Sequence, residues 1–501
     1  NTLKVDSFPP VYMEVVPLET DYTAHDYRVE LEYPEYVALT PSEARMAERY
    51  DSLIGESIEP EAFVGVERKR GLLDISFIPL IKRDGKYMKL ASAQISIKHT
   101  PKPRRTETRA SADERYAAHS VLKDGRWVKI SITQNGMYRL TRKALKNMGF
   151  SNPQNVHLYG YGGHQQKELI TVGSHYDDLE EVPLYYSSGT DSWLFWGNGL
   201  VYWDGDTRVR NAFATSACYF LREENSPSAI GTIDSYDGTA TKSFDYYREH
   251  ILHESEEYAW YHAGRTLVEE YNFKNGSKTF NLSTPNPACD SIDLTIVFTA
   301  NFPLETRMTP SVNGTTLPGI TIPKSETSSY TYAASSKKTY VVRNNGAATT
   351  EWTVRIPQTP GVDSRLDYIA INYYRRLQPN NGQVSFTSPY TMPCPFEISG
   401  TGLVVMRTVV PGDPAVVVNG SQLSGKYVVK VEDPTRQYVA FDPNHAFPEP
   451  TIVGDVPNQD LHATDSLDMV IIIPANNKLL AEAKRLAEAH VRYDSLRVGI
   501  V

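Results

Sequence analysis

Most of the chain alternates apolar and polar residues with a period of two, which is typical of strands that bury one face. The alternation is clear in 292–300, 350–356 and 366–374, and Asn313-Gly314 is one of the turn signals between such runs. Many short strands separated by turns, with hardly any helical spacing, predict β-sandwich or jelly-roll domains.

A few local signals are sharper than this alternation. Thr40 followed by Pro41 predicts the capped start of a short helix, because Pro suits the first helical position. Thr141 is a second predicted N-cap. Asp84-Gly85 stands between two strand-like runs and predicts a tight hairpin.

The end of the chain has a different pattern. Residues 468–474 form a continuous apolar run, typical of a strand buried on both faces, and 479–490 carry an apolar stripe at helical spacing. We predict Asn476 as the N-cap of this helix and a second strand over 496–501. This order is the first β-α-β step of a parallel sheet, which needs further strands to bury its faces, so we expect the fold to continue beyond these residues. The alternative is a terminal helix packed on the last β-domain.

Shifts in composition divide the chain into six predicted segments. A charged stretch with Arg104, Arg105, Arg109 and Arg115 reads as an exposed tether that is open to trypsin-like proteases. The predicted segments are a β-sandwich (1–101), this linker (102–120), a β-rich domain with a short helix (121–257), a β-sandwich or jelly-roll-like domain (258–380), a β connecting region (381–465) and the start of an α/β domain (466–501).

Composition excludes several classes of protein. The 501 residues are 40% hydrophobic and carry a formal net charge of −9, which argues against a general nucleic-acid binder. No stretch approaches the ~18 apolar residues of a transmembrane helix. The chain begins at Asn1 without methionine, which a removed signal peptide or trimming explains.

The three cysteines do not predict a disulfide scaffold or a metal site. Cys218, Cys289 and Cys394 lie far apart, form no CxxC, and allow one bridge at most. We expect them to be buried small hydrophobic residues. Prolines on both sides of Cys394 suit a turn or a sheet edge rather than a catalytic thiol.

Two kinds of side-chain cluster are candidate metal sites. His250 and Glu254 would share one face if their segment were helical, although an ordinary polar surface explains the same residues. The full group is His250, His253, His262, Glu249, Glu254, Glu256 and Glu257. Acidic residues in 204–206 and 177–181 are candidate Ca²⁺ loops, although neither follows the EF-hand pattern.

An aromatic cluster near the middle of the chain has two interpretations. Aromatic rings beside glycines can stack on sugar rings, but alternate positions in a strand more commonly form a core. The cluster comprises Trp193, Phe195, Trp196, Tyr202 and Trp203.

Several motifs, taken in order, carry a resemblance to a known family. The chain resembles the region upstream of the peptidase domain in the PorU-type sortases of the type IX secretion system of Bacteroidetes. The matching motifs are Gly125-Arg-Trp-Val-Lys-Ile-Ser131, Asn135-Gly-Met-Tyr-Arg-Leu140, Met148-Gly-Phe150, 156–163, Trp193-Leu-Phe-Trp-Gly-Asn-Gly199, Gly264-Arg265 and Asp367-Tyr-Ile-Ala-Ile-Asn-Tyr373. Residues 65–98 are similar to the β-sandwich prodomain of gingipain-type cysteine peptidases, and the terminal segment to the start of their peptidase domain.

The resemblance implies an activity for a longer protein. PorU-type sortases use a Cys-His pair to remove the C-terminal signal domain of secreted cargo and attach the cargo to anionic lipopolysaccharide. It also implies a PorV-like outer-membrane β-barrel partner and a cell-surface location reached through a cleaved signal peptide.

No residue of this chain matches the Cys or His motif of the family. We therefore assign no catalytic, cofactor-binding or metal-ligating residue and expect the chain to be inert, needing no cofactor. A secreted multi-domain β-sandwich binding or adhesion protein without an enzymatic domain is the alternative.

Overall fold

The protein is described from a computed structural model. It describes the chain except for 1, 4–8, 68–69, 103–115, 167, 169–176, 236–242, 262–263, 326–331, 345–349, 389–392, 411, 432, 434–435 and 465. Most of the predicted linker and His262 therefore lie outside the described residues. The chain divides into two compact units, one of Asn1–Glu114 with Thr464–Val501 and one of Arg115–Ala463.

The first part of the smaller unit is built from two antiparallel sheets. Their strand orders are β1-β2-β5-β4 and β3-β7-β6. The elements are β1 (Thr2–Leu3), β2 (Val11–Pro17), β3 (His25–Ala38), α1 (Pro41–Ala47), β4 (Glu61–Glu67), β5 (Arg70–Phe77), β6 (Leu80–Arg83) and β7 (Lys86–Pro101), with short 3-10 helices at Tyr22–Ala24 and Glu48–Leu53.

The local signals predicted in this part are confirmed. Thr40 caps α1 in a reciprocal capping box with Glu43. Asp84 and Gly85 both have positive φ, at 49° and 73°, as a tight turn between β6 and β7 requires. Val29, Leu73 and Ile75 form a small core between the sheets.

The larger unit contains nearly all of the remaining strands. Its first half comprises β8 (Trp127–Ile132), β9 (Gly136–Thr141), α2 (Arg142–Asn147), β10 (Val156–Gly162), β11 (Glu181–Val182), β12 (Tyr185–Ser187), β13 (Ser192–Gly197), β14 (Val201–Asp204), β15 (Thr207–Arg210), β16 (Ala217–Glu223), β17 (Gly231–Ile233) and β18 (Tyr246–Glu254), with 3-10 helices at Val121–Lys123 and Pro153–Asn155.

The strands of its second half range from two to fourteen residues in length. They are β19 (Lys278–Ser283), β20 (Ser291–Asn301), β21 (Thr306–Met308), β22 (Ser311–Val312), β23 (Thr315–Thr316), β24 (Ile320–Ile322), β25 (Ala334–Arg343), β26 (Glu351–Ile356), β27 (Asp363–Arg376), β28 (Gln383–Thr387), β29 (Cys394–Ser399), β30 (Val404–Arg407), β31 (Val416–Val418), β32 (Ser421–Leu423), β33 (Lys426–Val431), β34 (Gln437–Phe441) and β35 (Thr451–Val456).

These strands form small sheets, several of which pack in pairs. The sheets β18-β27-β20-β25 and β19-β26-β22-β23 enclose the largest core, which includes Phe273, Phe298 and Trp352. The sheet β17-β31-β30-β34-β28 packs with β29-β33-β32 around Phe386 and Phe396. The predicted mostly-β, multi-domain fold class is thus confirmed.

One sheet combines strands from distant parts of the sequence. Its order is β11-β10-β16-β8-β35, so β35 pairs antiparallel with β8 more than three hundred residues earlier. The core beneath it includes Trp193 and Phe195.

The end of the chain forms the predicted β-α-β step. β36 (Met469–Ile471) and β37 (Val498–Ile500) pair in parallel and are joined by α3 (Leu480–Asp494). The predicted N-cap Asn476 is wrong: Asn477 adopts a φ of 57°, which a right-handed helix cannot include, and α3 begins after Leu479. The helix ends at Asp494, and Ser495 after it adopts the left-handed conformation.

Candidate functional site

The larger unit contains a cavity of about 1130 Å³, here called the central cleft. It is lined by the β14–β15 hairpin, the first half of β18, the end of β27 and the whole of β28. Its volume lies just above the range typical of small-molecule pockets and suits an extended ligand.

The β14–β15 hairpin is fixed by ionic and aromatic contacts with the neighbouring sheet. Asp206 in its turn accepts two hydrogen bonds from Arg248 of β18, at 3.0 and 2.7 Å. These bonds lower the pKa of Asp206. Trp203 stacks on His250, with ring centroids 4.3 Å apart and an interplanar angle of 13°.

Two histidines at the cleft are held neutral by their surroundings. Burial lowers the pKa of His164 to about 4, and it also lowers the pKa of His250. The Nδ1 atom of His250 lies 2.9 Å from Oδ1 of Asn372. Neutral, hydrogen-bonded imidazoles beside aromatic rings serve here as packing and hydrogen-bonding groups.

The helical placement predicted for His250 and Glu254 is wrong. Both lie in β18, which pairs with β27, so the two residues are separated by about 13 Å at the rise of an extended chain. His253 instead packs against Phe280, with ring centroids 4.6 Å apart. The ladder with β27, which no local pattern reveals, decides this conformation.

A buried charge cluster lies at the far end of β18. Carboxylate oxygens of Glu254, Glu256 and Asp367 all lie within 4.8 Å of one another. Arg208 and Arg210 of β15 form ion pairs with Glu254 and Glu256; the Arg210–Glu254 pair has a nitrogen-to-oxygen distance of 3.0 Å. The arginines supply the compensating positive charge that a metal ion would otherwise bring.

Asp367 is the least compensated member of this cluster. It is 9% exposed, and its Oδ1 has no hydrogen-bond partner among the described residues. Burial raises the pKa of Asp367 to about 6, against the opposing effect of Arg208. Sequence reasoning named Glu254 and Glu256 but missed this partner, because Asp367 comes from a strand more than a hundred residues away.

Several carboxylates of the predicted Ca²⁺ loops accept hydrogen bonds from the protein. Besides Asp206, Asp177 accepts the backbone N–H of Ala117 at 2.6 Å, and Asp178 accepts that of Val121 at 2.6 Å. These bonds fix the loop against the start of the unit. Calcium binding remains a prediction.

The aromatic cluster divides between core and cleft. Trp193, Phe195 and Trp196 are 3%, 0% and 7% exposed, as the core interpretation predicts. Tyr202 and Trp203 are half-buried and line the central cleft. The strand β13 therefore serves packing, whereas the hairpin offers ring surface to a ligand.

The prediction of buried cysteines is confirmed for Cys394 only, because Cys218 and Cys289 are half-buried. All three are free, and Cys394 is buried in β29. Burial raises the pKa of Cys394, whose Sγ lies 3.5 Å from the hydroxyl of Ser388. A raised pKa keeps the thiol protonated and unreactive.

A second exposed surface belongs to the β-α-β step. Val470 of β36 and Ile472, just after it, are 51% and 81% exposed, and Leu486 and Val491 of α3 are 49% and 53% exposed. Apolar side chains of a parallel pair are normally buried on both faces. Among the described residues, no helix is long and apolar enough to cross a membrane.

Comparisons with known proteins bear on the fold. No family model and no curated protein matches the sequence. A solved structure of dimeric latent PorU from Porphyromonas gingivalis matches with a TM-score of 0.64 and 24% identity, over 77% of this chain and 38% of that one. The predicted PorU-like character is thereby confirmed at the level of the fold, and the chain spans 38% of the PorU chain's length.

Other solved structures match far more weakly. The CBM36-1 domain of a xylanase from the hindgut metagenome of Trinervitermes trinervoides has a TM-score of 0.17 and 16% identity, over 25% of this chain and 95% of that one. A Paenibacillus xanthan lyase has a TM-score of 0.16 and 10% identity, over 90% of this chain and 51% of that one. Likenesses this low carry no functional argument.

Proposed function

We propose that this chain is the pre-catalytic region of a gingipain-type cysteine peptidase that acts as a sortase of the type IX secretion system. The observation that carries the proposal is the fold shared with PorU over 77% of the chain. In this role the β-domains form a scaffold, and the Cys-His pair comes from a peptidase domain that follows.

The β-α-β step supports this reading. Its exposed apolar residues, among them Ile472 and Leu486, are those that additional strands and helices of a parallel sheet would cover. Burial raises the pKa of Cys394 and keeps its thiol protonated, which fits a region that takes no part in peptide cleavage.

The proposal extends to location and partners. The whole protein would reach the cell surface through a cleaved signal peptide and act at the outer membrane beside a PorV-like β-barrel. Its substrates would be the C-terminal signal domains of secreted cargo, with anionic lipopolysaccharide as the acceptor. Neither a cofactor nor a nucleic acid enters this scheme.

A chromosomal substitution tests the proposal in the complete protein. Ile472→Asp puts a charge on the surface that the peptidase sheet would cover, so cargo should accumulate with its C-terminal signal domain uncleaved. Glu488→Ala changes an exposed residue of the same segment and is the matched control, in which cargo should be processed normally.

Immunoblots of surface cargo provide the measurement, and the coding sequence provides an independent one. Normal processing in Ile472→Asp contradicts the proposed covering of this surface. A coding sequence without a downstream Cys-His peptidase domain contradicts the enzymatic role and leaves the secreted binding protein.

A further inference from the structure

The strand β28 lies at the end of its sheet and has a free edge. In the part of the chain that the structure describes, it pairs with β34 alone, from Gln383 opposite Phe441 to Thr387 opposite Gln437. Each residue of an antiparallel strand directs both backbone groups to one side, and successive residues alternate.

Neighbouring hydrogen bonds show which residues of β28 face outward. Thr408 N–H donates to the carbonyl of Gln437, so Gln437 faces β30 rather than β28. Gln383 exchanges both backbone hydrogen bonds with Asn380, away from β34. By alternation, Ser385 and Thr387 direct their N–H and C=O groups off the edge of the sheet.

This free edge lies in the central cleft. All five residues of β28 line the cleft; Ser385 is half-buried and Thr387 is exposed. The remaining walls carry aromatic rings, from Tyr161, Tyr202, Trp203 and Tyr374. Natural proteins normally cover or shorten unpaired edges, because such edges pair readily with another chain.

The charges of the cleft are compensated by the protein itself. Arg248, Arg375 and Arg436 line it, and each forms an ion pair with a carboxylate, namely Asp206, Glu249 and Asp413. A strongly anionic polymer would have to displace these partners. A backbone with unpaired amides and uncharged side chains matches the cleft better.

We propose that the central cleft binds an extended segment of another polypeptide, which adds to β28 as a further strand. Its backbone exchanges hydrogen bonds with Ser385 and Thr387, and its apolar or aromatic side chains pack against the rings of the cleft. This proposal rests on the free edge and the cleft alone, so it stands whether or not the chain serves a sortase.

A proline substitution separates strand addition from other binding. Ser385→Pro removes an outward N–H that takes no part in the ladder with β34, so the sheet should tolerate it as edge strands do. Ser385→Ala keeps the N–H and is the matched control. Far-ultraviolet circular dichroism and thermal unfolding check that both variants fold.

The probe is a phage-displayed library of random octapeptides selected on the purified chain, followed by fluorescence anisotropy with the enriched peptides. We expect binding about tenfold weaker or worse to Ser385→Pro and within about twofold for Ser385→Ala, since a backbone hydrogen bond is lost only in the first. Only every second amide of an added strand faces β28. N-methylation of one alternate set of peptide amides should therefore abolish binding to the unmodified chain, and methylation of the other set should not.

Three outcomes overturn the proposal. They are no enriched peptide, equal binding by Ser385→Pro and the unmodified chain, or indifference to N-methylation of both sets of amides. Binding of maltohexaose that survives Ser385→Pro but is lost in Tyr202→Ala, with no peptide binding, identifies the cleft as a sugar site instead.

Discussion

Two regions of this chain differ in how far their apolar side chains are buried. The core between β20, β27 and β26 buries Phe298, Ile371 and Trp352 to 0%, 0% and 2% exposure. The terminal β-α-β step leaves Ile472 81% exposed, and Ala483 is its one buried apolar residue among those described. Strands of similar composition therefore have their apolar side chains buried in the sandwich core and exposed in the β-α-β step.

This difference shows that burial of the strands depends on partners from distant parts of the sequence. The sandwich closes because two sheets face each other across a common core, so each strand is buried by partners far away in sequence. The β-α-β step has one parallel pair and one helix, too few layers to cover both faces of its strands. Most of the free energy of folding should therefore come from the sandwich core.

The largest expected effect is in the sandwich core. Trp352→Ala should lower the free energy of unfolding by about 3–5 kcal/mol, because it removes a buried ring and leaves a cavity. Its indole N–H also donates to Thr284 at 3.0 Å. Urea denaturation measures the effect; Trp352→Phe should lose less, and an equal loss would argue against cavity formation.

The next effect is electrostatic and depends on pH. Burial raises the pKa of Asp367 to about 6, so the folded state binds a proton that the unfolded state, with a pKa near 4, releases. Stability should therefore fall as pH rises from about 4 to about 6. Asp367→Asn should gain about 2–3 kcal/mol above pH 6 and nothing below pH 4.

Thermal unfolding across pH 3.5–8 tests this sign. Asp204→Asn, at the exposed end of β14, is the control and should leave the pH profile unchanged. A loss of stability in Asp367→Asn at pH 7 would mean that attraction to Arg208 outweighs the cost of burial.

A smaller effect is expected at a helix cap. Thr141 accepts the backbone N–H of Ala144 at 3.1 Å and so caps α2. Thr141→Ala should cost about 1 kcal/mol in urea denaturation, whereas Thr141→Ser keeps the hydroxyl and most of the stability. Equal losses in both variants would assign the effect to the lost methyl group.

The smallest effect is expected in the β-α-β step. Ile472→Ala should change the unfolding free energy by less than about 0.5 kcal/mol, because the side chain is 81% exposed. Ile371→Ala, buried in β27, is the contrasting substitution and should cost several-fold more. A loss above about 1 kcal/mol at Ile472 would erase the contrast between the two regions.

Local signals in the sequence predicted much of the fold. The cap at Thr40, the turn at Asp84-Gly85 and the β-α-β step each depend on neighbouring residues, and each is confirmed. The helical prediction for the segment with His250 and Glu254 was wrong, because this segment pairs with residues of β27 more than a hundred positions away.

The central cleft was beyond local patterns for the same reason. Tyr202 and Trp203 were identified as aromatic residues, but their place in the cleft and the stacking of Trp203 on His250 depend on packing between separate sheets. The free edge of β28 is a property of sheet order, which no stretch of five residues reveals. Asp367 likewise became notable only through Arg208 and Glu256 beside it.

The exposed strand at the end of the chain has a consequence for handling and storage of the protein. Among the described residues, Met469–Ile471 pairs with β37 alone, and Ile472 and Ile473 continue its apolar run. Short, uncharged, β-branched runs with an unpaired edge are the segments that seed intermolecular sheets. Pro474 ends the run and limits its length, as gatekeeper residues do. Concentrated solutions of this chain should therefore lose material to fibrous or amorphous aggregates that begin at these residues.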